Sequence, residues 1–258
     1  MATRDPHPLE GATVLVTRPA GTAGSVLRLA RSLGASAIAV PGLSLRAAAP
    51  DRRSRTSAAR FDAWIFASPA AARFGAHLLP PQRARRNLAA FAVGDGTARA
   101  LARHGIRATI PRDRFDSEGV LALAELKSIR GRRIALIGAP GGRDLIAPTL
   151  RRRGAHVEAI HVYRREPPRL TRRHFDAIEA AADPLLTLVS SGEALGHLVA
   201  LLPAALLQRL RAQPLIVSSA RLVGIAREHG FAEIVQARSA APRDLLAAAA
   251  GALARHRL

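Results

Sequence analysis

Short apolar runs alternate with amphipathic stretches along almost the whole chain. Residues 14–16, 37–40, 64–66, 91–93, 134–137 and 215–217 are apolar at every position, and 186–189 at all but Thr187. Strands covered by helices on both faces read this way. Between the runs lie helical stripes at i, i+3, i+4, i+7. Val26, Leu29, Ala30 and Leu33 form one, Leu195, Leu198, Val199 and Leu202 a second, and Leu246, Ala249, Ala250 and Leu253 a third. Alternation of this kind predicts an α/β fold with parallel sheets.

The pattern is written twice, the second copy about 120 residues after the first. VLVTRPAGTAGSVLRLARSLGA at 14–35 and IALIGAPGGRDLIAPTLRRRGA at 134–155 share one register: apolar run, Gly/Pro loop, helix, Gly-Ala stop. WIFASPAAARF at 64–74 matches LTLVSSGEALG at 186–196, which puts Ser68 opposite Ser190. FAVGDGTARALARHG, ending at Gly105, matches IVSSARLVGIAREHG, ending at Gly230, and SEGVLALAEL from Ser117 answers APRDLLAAAA from Ala241. Two stretches interrupt the alternation, 43–60 and 164–184, both rich in Pro and charge. They follow the extended segments PGLSL and HVYRR and read as two passages between lobes. The expected division is lobe 1 at 1–42 and 167–258, discontinuous in sequence, and lobe 2 at 47–160. Residues 43–46 and 161–166 are expected to link them.

Composition narrows the function classes. At 258 residues the chain can bury a real core as one large or two small domains. No apolar run reaches the length of a membrane span, and MATRDPHPLEG lacks the apolar core of a secretory signal, so a cytoplasmic location is the default expectation. The absence of cysteine removes thiolate chemistry and Cys-based zinc sites. Lys and Arg number 39 against 19 Asp and Glu, a formal charge of +20, which leans toward an acidic ligand. The arginines are dispersed, however, in helices such as RRRG at 151–154 and loops such as RARRN at 83–87. With one Trp and one Tyr there is little to stack nucleic-acid bases.

Candidate chemistry gathers at the ends of the predicted strands. In open α/β sheets ligands bind beyond the carboxyl ends of strands, where helix N-termini offer unpaired N–H groups. Six segments fit: Thr17-Arg18-Pro19, Ser68-Pro69, Gly94-Asp95-Gly96-Thr97, Gly138 to Gly142, Ser190-Ser191-Gly192 and Ser218-Ser219. Small residues allow close approach of a ligand, and hydroxyls can donate to a carboxylate. Ordinary caps and turns use the same residues, but six in equivalent places along two repeats point further. Gly94-Asp95-Gly96 lacks the third glycine of a dinucleotide fingerprint, since Arg99 stands there, and Gly141-Gly142 has no P-loop lysine. No His pair has metal-ligand spacing. His104 and His229, each just before a helix-ending Gly, read as dipole partners. Lys127, in a surface-like ELKSIRG segment, is a poor Schiff-base candidate. Tyr163, the sole tyrosine, sits where the chain leaves one lobe for the other, with its hydroxyl expected to face the inter-lobe cleft.

Taken in order, VLVTRP with its following L-x-x-LGA, VPGLSL, FASPAAA, AVGDGTARAL, SEGVL and GGRDLIAPTLRRRGAHVEAIHVYRR resemble the uroporphyrinogen-III synthase family along nearly the whole chain. The resemblance implies two Rossmann-like (flavodoxin-like) parallel-sheet lobes joined by a two-stranded linker, with the active site in the cleft. It implies hydroxymethylbilane as substrate, with uroporphyrinogen III and water as products and neither metal nor organic cofactor. Ring D is inverted through an azafulvene and a spirocyclic intermediate, so the main task is holding a near-attack geometry. The implied catalytic residue is Tyr163, which assists departure of the hydroxyl. The resemblance carries Ser68, Thr97 and Ser190 over as substrate-binding residues, and the expected set adds Thr17, Arg18, Gly94, Ser117, Gly138, Gly141, Ser191 and Ser219. Ala70 stands where the family commonly has Asn. Ser218-Ser219-Ala220-Arg221 replaces G-P-x-T-A, with Leu222 opposite Thr97. The expected partner is the polycarboxylate substrate, with room for a transient contact with the preceding pathway enzyme and no nucleic acid or membrane. A non-catalytic two-lobe binding module for an acidic metabolite is the reading that competes with the cyclase.

Overall fold

The computed structural model describes residues 7–48, 60–79, 89–141 and 145–256. Most of the 43–60 stretch, the 83–87 arginine run and Gly142 lie outside them. In chain order the elements are β1 (Thr13–Val16), α1 (Gly24–Ser32), β2 (Ser36–Ala39), β3 (Ser44–Ala47), β4 (Ala63–Phe66), α2 (Pro69–Gly75), β5 (Ala89–Ala92) and α3 (Asp95–Ala102). Then follow α4 (Ser117–Ala122), β6 (Arg133–Gly138), α5 (Ile146–Arg152), β7 (His156–His161), β8 (Tyr163–Glu166), α6 (Arg172–Glu179) and β9 (Leu185–Val189). The chain continues through α7 (Gly192–Leu201), α8 (Ala204–Arg211), β10 (Leu215–Val217), α9 (Ala220–Glu228), β11 (Ile234–Gln236) and α10 (Pro242–His256). No helix among the described residues is long and apolar enough to cross a membrane.

Two compact units result, one of Met1–Ser44 with Glu166–Leu258 and one of Leu45–Arg165. The first holds a five-stranded sheet in the order β11-β10-β9-β1-β2, the second a four-stranded sheet in the order β5-β4-β6-β7. Every pairing in both is parallel. The sequence repeat maps onto this geometry: β1-α1-β2 answers β6-α5-β7, and β9 and β10 answer β4 and β5. The strand order β10-β9-β1-β2 is therefore the order β5-β4-β6-β7 written again. A parallel bridge from Phe91 to Thr109 stands where β11 stands in the other unit. Each copy of the Gly-Ala stop ends its helix with a left-handed glycine, Gly34 at φ 91° and Gly154 at φ 87°, a conformation without penalty only for Gly. β3 and β8 pair separately as a two-stranded sheet.

The central strands are buried along their whole length, β1, β4, β9 and β10 at every residue. Helices on both faces require this, and the continuous apolar runs reflect it. In the second unit Trp64 is fully buried, meets Phe61 edge-on with ring centroids 5.5 Å apart, and stacks on Phe66 at 6.4 Å. The stretch 164–184 carries α6, a helix its charges conceal: only Ile178 is fully buried, and the Thr171 amide donates to His174 Nδ1 at 3.0 Å.

Close backbone approach is tested by two glycines inside helices. A Cβ on Gly119 in α4 would lie 1.8 Å from the Arg114 carbonyl oxygen, whereas one on Gly224 in α9 meets nothing within 4 Å. Helix propensity favours Ala over Gly at both, by roughly 0.5–1 kcal/mol. Gly224→Ala is expected to stabilise by about that amount in urea unfolding. Gly119→Ala is expected to destabilise by about 1–3 kcal/mol, because the overpacked backbone must move. Equal stabilisation by both would show that the approach at Gly119 is not tight.

Candidate functional site

Within the unit Leu45–Arg165, β4 ends at Phe66 and the chain turns at Ala67 and Ser68 into α2. Ser68 is the N-cap, extended at φ −166°, with Pro69 preset for the first helical position. Its Oγ accepts the Ala71 N–H at 3.0 Å and lies 3.1 Å from the Tyr163 hydroxyl. Tyr163 opens β8 and is only 5% exposed, its ring stacked on Phe74 at 5.7 Å and 25°. The sole tyrosine is thus fixed at both ends, by ring packing and by the hydroxyl contact.

Gly94 caps α3 in extended backbone, and the amides of Thr97 and Ala98 return to its carbonyl at 3.0 Å. Thr97 is buried in the first turn of α3. Asp95 pairs with Arg99 one turn later at 3.5 Å, both well exposed, so the Gly-Asp-Gly segment opens an ordinary helix. Ser117 begins α4, but the cap is Asp116, which accepts the Gly119 N–H at 2.9 Å. Gly138 ends β6 and Gly141 is left-handed at φ 71°. Arg165 Nη2 donates to the Pro140 carbonyl at 2.9 Å and pins this loop.

In the other unit, Thr17 is buried at the end of β1 and its hydroxyl donates to the Leu188 carbonyl at 2.7 Å. Arg18 Nη2 donates to the Ala240 carbonyl at 2.7 Å, while its Nε is buried without a partner. Burial pulls the Arg18 guanidinium below the ordinary arginine value, since desolvation penalises the charged form. Ser190 is exposed just beyond β9, and Ser191 caps α7 by accepting the Ala194 N–H at 3.4 Å. Ser219 caps α9 in extended backbone without a side-chain cap bond. Leu222 occupies the position in α9 that Thr97 occupies in α3, and it is buried in an apolar cluster.

The chemistry on offer is narrow. Helix N-terminal amides, hydroxyls and one half-buried guanidinium suit carboxylates. Among the described residues no His, Asp and Glu cluster has the geometry to hold a metal ion. Comparison with known proteins names the family. The family model described as Uroporphyrinogen-III synthase HemD matches residues 25–247. The chain belongs to the uroporphyrinogen-III synthase family. A uroporphyrinogen-III synthase of Salmonella typhimurium is 34% identical over 250 residues, 92% of this chain and 99% of that protein. The crystal structure of the Helicobacter pylori uroporphyrinogen-III synthetase shares the fold at TM-score 0.63 and 13% identity, covering 93% of this chain and 99% of that one. A mutant Thermus thermophilus uroporphyrinogen III synthase does so at TM-score 0.58 and 18% identity, over 95% and 99%.

Two residues at these synthase-family loops escaped the sequence reading. Arg165 is two places after Tyr163 on one strand, and i, i+2 periodicity gives both the same side; that spacing was the available signal. Phe115, 56% exposed, lies against Gly94, where a Cβ would come within 3.1 Å of the Phe115 Cβ. No sequence pattern marks it. The Thr17 bond yields a test. Thr17→Val is expected to lower stability by about 0.5–1.5 kcal/mol through loss of the bond to Leu188, read by urea unfolding, with little change in substrate affinity. Unchanged stability with weakened affinity would assign the hydroxyl to a ligand instead.

Proposed function

We propose that this chain closes the linear tetrapyrrole hydroxymethylbilane to uroporphyrinogen III, inverting ring D and releasing water. The observation that carries the reading is the family match over residues 25–247. The formal charge of +20 suits a polycarboxylate substrate, as do the amide-rich strand ends. The competing reading, a binding module without catalysis, has no observation in its favour. A soluble cytoplasmic enzyme with a small-molecule partner, in passing contact with the enzyme that supplies it, completes the proposal.

Tyr163 is the proposed proton donor. Its phenol protonates the departing hydroxyl, which leaves as water, and the pyrrole N–H then returns a proton to the phenolate, so the azafulvene forms with protons balanced. The electron-rich pyrrole supplies most of the push, so the phenol assists rather than drives the step. Arg18, Gly94, Thr97, Ser117, Gly138, Gly141, Ser190, Ser191 and Ser219 are proposed to hold carboxylates, largely through backbone N–H groups, whereas Thr17, whose amide and hydroxyl both donate to the Leu188 carbonyl, is proposed to support its loop instead. Ring inversion then depends on how the bound chain is folded.

An assay that generates hydroxymethylbilane in situ and separates the product isomers tests the reading. The type III isomer is expected in excess, and type I alone would overturn it. Tyr163→Phe is expected to lower kcat roughly 10²-fold, the low end for general-acid assistance, with isomer control retained. Thr97→Ala is expected to cost about 1.5–3 kcal/mol in kcat/KM, the worth of one hydrogen bond to a charged group. A loss of many orders of magnitude in a folded Thr97→Ala protein would give Thr97 a chemical role.

A further inference from the structure

The proposed proton donor rests on a second hydroxyl whose place was expected to be on the substrate. Ser68 has one proton and two acceptor lone pairs. One lone pair is taken by the Ala71 N–H at 3.0 Å, and a backbone amide can only donate. Among the described residues the other hydrogen-bonding neighbour of Ser68 Oγ is the Tyr163 hydroxyl at 3.1 Å. Either oxygen could donate across that contact, but accepting one hydrogen bond makes a hydroxyl a stronger donor and a weaker second acceptor. The amide therefore sets a direction: Ala71 N–H to Ser68 Oγ, Ser68 O–H to the Tyr163 oxygen.

We infer that Ser68 is a positioning residue that donates to Tyr163, so that the phenol's own proton points away from Ser68 and toward the reacting hydroxyl. The inference rests on the assignment of Tyr163 as proton donor. It replaces the expectation that Ser68 binds a substrate carboxylate. The same bond steadies negative charge on the phenol oxygen as its proton leaves. Phe74 stacks on the ring and fixes its plane, and the extended cap conformation of Ser68 holds the hydroxyl at the start of α2. The opposite direction, Tyr163 donating to Ser68, would turn the acidic proton toward the helix cap and leave the phenol unable to protonate anything.

Three substitutions separate capping from donation. Ser68→Ala removes both; Ser68→Thr keeps both; Ser68→Asp keeps a capping acceptor but, ionised, cannot donate to the phenol. Tyr163 is the sole tyrosine, so the tyrosine Fermi doublet in the Raman spectrum reports it alone. The doublet ratio rises when the phenol oxygen accepts a hydrogen bond and falls when the phenol mainly donates. The ratio is expected to fall from wild type to Ser68→Ala and further in Ser68→Asp, and to hold in Ser68→Thr. With hydroxymethylbilane, kcat is expected to drop about 10- to 100-fold in Ser68→Ala and Ser68→Asp, with KM nearly unchanged and Ser68→Thr close to wild type. A ratio that stays or rises in Ser68→Ala, or a Ser68→Asp protein with wild-type kcat, overturns the inference. A raised KM at constant kcat would return Ser68 to substrate binding. The Raman arm needs no substrate. A chain without cyclase activity but with the expected spectral shifts would refute the reaction assigned and leave the bond direction standing.

Discussion

Parallel pairing is the constraint from which the rest follows. Strands that all run one way deliver every strand-to-helix loop to one edge of the sheet, and β1, β9 and β10 do this in one unit as β4, β5 and β6 do in the other. Parallel strands need helices on both faces, so the central strands are buried and, but for Thr13 and Thr187, apolar. Function is left to the loops, where helix N-termini present amides that nothing in the helix satisfies. Because the two sheets share one strand order, each loop in one unit has a counterpart in the other. Selection has filled counterparts differently: Thr97 beside Gly94 in one, Leu222 beside Ser219 in the other.

A reaction that must order a long, flexible, acidic chain before closing it asks for many weak donors and few strong acids. The loops supply such a set. Several hydroxyls that look free in sequence are already engaged, as Thr17 is with Leu188 and Ser68 with Ala71. Arg18 is distinctive because its head group is half-buried and meets a carbonyl, not a carboxylate. Its charge is therefore not neutralised by that contact.

The fold was largely legible because burial and pattern agree. Strands buried at every residue, such as β4 and β10, appear as uninterrupted apolar runs, and the internal repeat exposed the common topology of the sheets. β7 and β11 were not legible. Both are edge strands with mixed burial, so their exposed residues break the apolar run that marks a central strand. α6 was hidden for the related reason that it buries little more than Ile178. At the site, Tyr163 stood out as the single tyrosine, but its partner did not. Ser68 is 95 residues away, and the contact depends on how α2 and β8 pack, which no local pattern records. The Thr17 bond spans 171 residues and was invisible for the same reason.

Ser68 is inferred to act through Tyr163, and Tyr163 is proposed to act on the substrate. The most direct test is a double-mutant cycle on kcat with Ser68→Ala, Tyr163→Phe and the pair. If Ser68 works only by setting the phenol, its loss costs nothing once the phenol is gone, and the double variant turns over at the rate of Tyr163→Phe alone. Additive losses, with Ser68→Ala lowering kcat by the same factor in both backgrounds, would contradict the account.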